Sequence, residues 1–224
     1  MVDRLKGKRI LITQADDYMG PAFIPIFEEE GAIVIADSRD LTVPSAAKEL
    51  IDETGHIDVL IANLAAKQNR ASVENTTDES WNHMFDMMVH PLHRLVKACI
   101  PQMKKRKSGK IIVVGSATGL KGQPNVSQYS AARGAQLAYV KSAGVEVAGD
   151  NVQINAIAQI FVENETYYSQ EFLKTDLFKE KFKQVPLNRL STAREDAMLA
   201  VFLASEESNS FVGQTFPFAA GWVV

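Results

Sequence analysis

"ILITQADDYMGPAFIPIFEEEGAIVIAD", Ile10 to Asp37, decides the fold. The run "KRILIT" reads as a short buried strand, and so does "AIVIAD" at the far end. Between them "PAFIPIFEEEG" carries a helical apolar pattern that closes on Gly31, a C-terminal stop. Strand, helix and strand in so short a span is the unit of a parallel sheet. The turn inside it is unusual. A phosphate-cradling turn uses glycines so that the backbone can approach a pyrophosphate. Here Thr13 is followed by Gln14, Ala15, Asp16, Asp17, Tyr18, Met19 and a single Gly20.

The same alternation runs to the end of the chain. "SAAKELIDET" predicts a weaker helix and "IDVLIAN" a third strand. "TTDESWNHMFDMM" has Thr76 and Glu79 at capping-box spacing and starts a long helix reaching about Arg106, with Pro91 expected to bend or interrupt it. "KIIVVGSA", "QYSAARGAQLAYVKSAGVEVA" and "VQINAIA" follow as strand, helix and strand. A loop-rich insert runs from Gln159 to about Thr175. A helix near "DLFKEKF" comes next, then a helix capped by Thr192 with Glu195 three residues on, and a last strand near "TFPFA". The expected fold is α/β: a single doubly wound Rossmann-like domain over residues 1–224, a parallel sheet flanked by helices, with ligands at the strand carboxyl ends.

Composition narrows the class. At 224 residues the chain can bury one sizeable core. A formal net charge of −3, with no basic run longer than "KKRK" at Lys104–Lys107, argues against a nucleic-acid partner. Cys99 is the one cysteine, so an intrachain disulfide and a multi-cysteine metal site are excluded. No stretch is apolar enough to span a bilayer, and "MVDRLKGKR" lacks the apolar core of a signal peptide, so a cytoplasmic protein without membrane contact is expected. His56, His83, His90 and His93 show no metal-ligand spacing, and of these His90 is the one expected to neighbour a site. Trp222 is left between a subunit interface and a neighbour's pocket.

Three residues carry the chemistry. Ser116 ends the strand "KIIVVGS", and Tyr129 and Arg133 sit four apart at the start of the next helix, on one face. Tyrosine is a poor base at neutral pH, its ordinary pKa being about 10. A guanidinium ~5 Å away at an effective dielectric of ~20 favours the phenolate by roughly 3 kcal/mol. That brings the phenol within reach of general-base work, while arginine stays protonated and tunes it. Ser116 is expected to hold a substrate oxygen whose proton Tyr129 removes.

On these residues the chain resembles the short-chain dehydrogenase/reductase superfamily over nearly its whole length. The carriers are "GSATG", the tyrosine thirteen residues after Ser116 in "YSAAR", "HIDVLIAN" ending at Asn63, and "VGQTFPFAAGW". It departs from the superfamily in having Arg133 where a lysine is usual, in lacking two of the three loop glycines, and in carrying His90 where the long helix usually has an asparagine. The combination Thr13-x4-Tyr18-x-Gly20 with Ser116-x12-Tyr129-x3-Arg133 resembles the halohydrin dehalogenases, and "FEEEGA", "HPLHR" and "TARED" are similar to their B-type branch. That resemblance implies halide elimination from a vicinal haloalcohol to give an epoxide, and epoxide opening by small anions, with no cofactor and no metal. It implies catalytic roles for Ser116, Tyr129 and Arg133. It also implies a halide and substrate pocket from Tyr18, Gln159, Ile160, Phe161 and Val162, with Tyr167 and Tyr168 on the substrate side. The family's proline-asparagine pair is replaced by Gln159 and Ile160. A homotetramer, a dimer of dimers, is expected by analogy.

The residues point the same way without the resemblance. Tyr18 places a ring where a pyrophosphate would lie, and Asp16 and Asp17 add charge of the wrong sign. From Asp37 to Asp58 there are only 21 positions, little room for the helix and strand that wall an adenine pocket. Two other readings stay open: a divergent nicotinamide-dependent reductase tolerating Arg133, and a non-catalytic binding module. The altered glycine loop weighs against the first, and the intact Ser116, Tyr129 and Arg133 against the second.

Overall fold

A computed structural model describes residues 3–224. Six parallel strands, β1 (Arg9–Thr13), β2 (Ile33–Asp37), β3 (Val59–Asn63), β4 (Gly109–Ser116), β5 (Val152–Gln159) and β6 (Thr215–Phe218), form one sheet in the order β2-β1-β3-β4-β5-β6. The helices are α1 (Gly20–Glu29), α2 (Ala46–Thr54), α3 (Asp78–Arg106), α4 (Ser127–Val147), α5 (Gln170–Leu173), α6 (Asp176–Phe182) and α7 (Ala193–Ala204). This is the doubly wound single domain expected from the sequence.

Strand alternation sorts the core into two layers. Leu11, Leu60, Ile111, Val113 and Ile154 face one way and pack with Leu50, Leu92, Leu95, Leu137 and Val140 of α2, α3 and α4. Ile10, Ile12, Ile61, Ile112 and Ile157 face the other way and meet Phe23 and Phe27 of α1 and Ala197 and Val201 of α7. β3, β4 and β5 are buried at every position, as strands covered on both faces should be, whereas edge strand β2 is half-open. Between β1 and β3 the chain reverses its direction of travel across the sheet, and the crevice lies at the carboxyl ends there.

Local signals resolve with two corrections. Gly31 takes φ +83° and lets Ala32 N–H reach Phe27 O at 3.0 Å, ending α1 as expected. Thr192 and Glu195 form the predicted capping box of α7. The start of α3, however, is capped by Thr77, whose side chain accepts from Ser80 N–H; Thr76 turns back to donate to Ser72 O at 3.0 Å. Pro91 does not interrupt α3, which runs unbroken through it. Proline removes the bond to Met87 O, and next to that gap Met88 O receives Gln136 Nε2 from α4 at 2.9 Å.

Candidate functional site

The turn after β1 is folded in on itself. Tyr18 holds φ +56° in the left-handed region, where an L-residue is disfavoured, and its ring is driven inward until it is almost wholly buried. Asn63, at the end of β3, staples the turn by donating to Gln14 O (2.9 Å) and Asp17 O (3.1 Å). Gly20 is the glycine that survives because a Cβ there would lie 2.3 Å from Ala15 O. Asp17 caps the turn. Its carboxylate accepts from Tyr18 N–H at 2.7 Å and pairs with the Thr166 hydroxyl of the insert.

The turn after β4 is open toward the crevice. Ser116 ends the strand beside Gln159 of β5, its register partner, and its Oγ meets Thr118 Oγ1 at 2.9 Å. Gly119 lets this turn lie against α4, since a Cβ would stand 2.9 Å from the Arg133 backbone. One helical turn apart, Arg133 Nε donates to Tyr129 Oη at 3.0 Å. The guanidinium is fully buried and held by Leu64 O (2.9 Å), Val114 O (3.0 Å) and Gln136 Oε1 (2.9 Å), so it cannot swing away. Among the described residues no carboxylate pairs with it. Its Nη2 makes no hydrogen bond, and the Tyr18 and Tyr129 rings flank it with centroids 5.6 and 5.1 Å from Cζ.

Aromatic residues of the insert complete the wall. Tyr167 stands edge-on to Tyr18 at 5.3 Å, donates to Ala66 O at 2.7 Å and accepts from Tyr129 Oη at 3.4 Å. Tyr168 accepts the Phe161 N–H at 2.9 Å, and Ile160 N–H goes to Phe218 O at 3.1 Å. Of the backbone donors in this stretch that could face an anion, those of Ile160 and Phe161 are therefore spent inside the protein. The cavity enclosed is about 330 Å³, at the small end of ligand sites.

Burial sets the electrostatics. Desolvation pushes the phenols of Tyr18, Tyr167 and Tyr168 well above the usual tyrosine range. Burial works against the Arg133 cation too, but the surrounding phenol oxygens, Tyr129 foremost, outweigh it and hold the group charged. Behind Tyr18, whose hydroxyl lies 3.3 Å from Gly115 O, the Gln159 amide is satisfied when its nitrogen is turned to Asp196, donating there at 2.8 and 3.2 Å while its oxygen faces the Tyr18 hydroxyl. Asp196 is fully enclosed, and burial pushes its carboxyl up to about 8.

A dinucleotide does not fit these residues. Most amides of the turn are already engaged: Ala15 N–H on Asp37 O, Asp16 N–H on Ser38 Oγ, Asp17 N–H on Gln14 O, Tyr18 N–H on Asp17, and Gly20 N–H on Asp17 O. Pro21 has no N–H to offer. Asp37, where an acid would meet a ribose, is bound to Arg39 Nε at 2.9 Å. Among the described residues no strand lies beyond β2 to wall an adenine pocket.

Tyr18, Ser116, Tyr129, Gln159, Ile160, Phe161, Val162, Tyr167 and Tyr168 all line the cavity, and Arg133 lies beneath it. His90 does not neighbour it. This histidine is exposed on α3 with Asp86 at 3.7 Å, because the buried stripe of the helix passes through Met88, Pro91 and Leu92. Trp222 packs within its own chain, 6.2 Å from the Phe161 ring and under Lys121 Nζ. Lining residues with no short-range signal were Lys67, Arg70 and Lys181, brought together only by the loop after β3 and the insert. Among the described residues there is no His, Cys, Asp and Glu cluster able to hold a metal, and no helix is long and apolar enough to cross a membrane.

Known proteins share this architecture. A family model for enoyl-(acyl carrier protein) reductase matches residues 6–223. The chain is 29% identical over 236 residues to a 3-oxoacyl-(acyl-carrier-protein) reductase, FabG, of Vibrio harveyi, covering 94% of this chain and 95% of that one. To the Chlamydia muridarum protein of the same name it is 30% identical over 190 residues, covering 85% and 75%. Among solved structures, one described as a dehalogenation enzyme superposes with a TM-score of 0.88 at 29% identity, over 98% of this chain and 100% of that one. A gluconate 5-dehydrogenase of Burkholderia cenocepacia J2315, in complex with NADP and tartrate, gives 0.91 at 25% identity over 98% and 96%.

Proposed function

The chain belongs to the short-chain dehydrogenase/reductase family, and from that premise we propose that it is a halohydrin dehalogenase needing no nicotinamide cofactor. One observation carries the reading: Tyr18 fills the phosphate turn and walls off a small cavity beneath which the buried Arg133, with no carboxylate partner among the described residues, stands behind Tyr129.

Ser116 and Tyr129 hold the hydroxyl of a vicinal haloalcohol, and Tyr129 accepts its proton. The alkoxide oxygen then bonds to the neighbouring carbon from the side opposite the halogen. The carbon–halogen bond breaks and the halide leaves with the electron pair, so haloalcohol becomes epoxide, halide and a proton. Arg133 stabilises the negative charge as it passes through Tyr129, a charge-assisted bond being worth about 1.5–3 kcal/mol. Halide comes to rest against the Tyr18 ring and the Gln159–Val162 stretch, where apolar edges suit a weakly hydrated anion. In reverse, a small anion entering that pocket opens the epoxide. The assembly we propose is a homotetramer pairing α3 and α4 between copies.

The test is chloride release from 1,3-dichloro-2-propanol without nucleotide. Release supports the reading, and none over a panel of chloro- and bromo-alcohols overturns it. The 3-oxoacyl reductase relatives favour a second reading, a divergent reductase. Tight NADH or NADPH binding by calorimetry would select it.

A further inference from the structure

The mouth of the cavity is cationic although the whole chain is acidic. Lys67 and Arg70, from the loop after β3, line it together with Lys181 of α6, and among the described residues no aspartate or glutamate does. Among the described residues none of the three has a carboxylate within salt-bridge distance, whereas eleven other lysines and arginines do, Lys179 and Lys183 of the same segment among them. Arg70 and Lys181 are half-buried. Arg70 Nη2 donates to Pro124 O at 3.0 Å, which fixes the guanidinium and leaves its other edge free. Lys181 Nζ touches only Gln123 Oε1, at 3.4 Å. Two neighbouring cations held partly out of water without a counter-charge cost stability. Burial lowers both, and the nearby Arg70 adds to the lowering of Lys181, which falls to about 8. An anion arriving between them removes that cost.

Resting on the dehalogenase reading, we propose that the organic substrate carries a terminal carboxylate, received by Arg70 and Lys181 with Lys67 at the rim, while its hydroxyl sits on Ser116 and Tyr129. The free edge of a fixed guanidinium presents two coplanar donors, which a planar carboxylate matches in bidentate fashion. Lys181 closes the pair as a point charge. The cavity, about 330 Å³, has room for a short acid.

The test compares chloride release from 4-chloro-3-hydroxybutanoate with that from its amide, 4-chloro-3-hydroxybutanamide. The acid is expected to have a kcat/KM at least ten-fold higher, the advantage shrinking as salt is raised. In an Arg70→Gln, Lys181→Gln double variant the acid-to-amide ratio is expected to fall at least ten-fold. Equal rates for acid and amide, or a ratio unchanged in the variant, overturn the inference. A binding arm separates this outcome from failure of the dehalogenase reading. Calorimetry with halogen-free 3-hydroxybutanoate and 3-hydroxybutanamide needs no turnover. Tighter binding of the acid, lost in the double variant, supports the carboxylate seat even if no haloalcohol reacts. Equal binding of the two sinks it whatever the chemistry.

Discussion

Two turns meet at the carboxyl end of the sheet and use their polar groups in opposite ways. After β4, Ser116 and the face of α4 beyond it present Tyr129 to the cavity, with Arg133 locked behind it by Leu64 O, Val114 O and Gln136. After β1, the turn spends its amides on Asp17, Asp37 and Ser38 and gives the cavity a phenol ring instead. The first region addresses a ligand and the second addresses itself. On the dehalogenase reading proposed above, the refilled turn would exclude a dinucleotide while Tyr129 keeps its place on α4.

The sharpest way to break the contrast is at the open turn. Tyr129→Phe is expected to cut kcat for halide release by about 10²–10⁴, the usual contribution of a general base, while the far-ultraviolet spectrum stays native. Retained turnover would remove the proposed role of that turn altogether. The next effect belongs to the closed turn. Tyr18→Gly relieves the positive φ but removes a buried ring, so unfolding free energy should fall by about 3 kcal/mol and bromide inhibition should weaken at least ten-fold. NADPH should still not bind by calorimetry, because the turn amides remain tied to Asp17 and its neighbours; binding would show that the ring alone had excluded the dinucleotide.

The last effect lies beneath the closed turn, at Asp196. An unfolded aspartate ionises near 4 and this one near 8, so its native form keeps a proton the unfolded chain gives up. The stability this group supplies is complete below pH 4 and drains away as pH rises toward 8. Asp196→Asn has no such dependence. From pH 5 to pH 8, the melting temperature of the natural protein should therefore fall relative to the variant by roughly 5 °C or more. A constant difference would show that Gln159 donation, not burial, governs this carboxyl.

What could be read from the chain followed the range of the signal. Ser116, Tyr129, Arg133 and Tyr18 sit at fixed offsets from strand ends, so spacing along the chain translates directly into position on the sheet. Thr192 and Glu195 were visible for the same reason. Thr77 displaced Thr76 as a cap because neighbouring threonines both suit the spacing and only the backbone selects one. Of the two outcomes expected at Pro91, a bend or an interruption, the interruption does not occur: a single missing bond is tolerated within a helix of 29 residues packed along its length. Arg70 and Lys181 carried no signal at all. They are separated by more than a hundred positions, and only the tertiary path of the insert makes them neighbours.

The strand order also works as a ruler. Neighbouring strands lie about 4.8 Å apart, and among the described residues β2 is the sole strand outboard of β1. Whatever lies over the crevice therefore has two strands of floor on that side, β1 and β2. Side chains decide which molecule is held, but the width of the sheet has already decided how far it can extend.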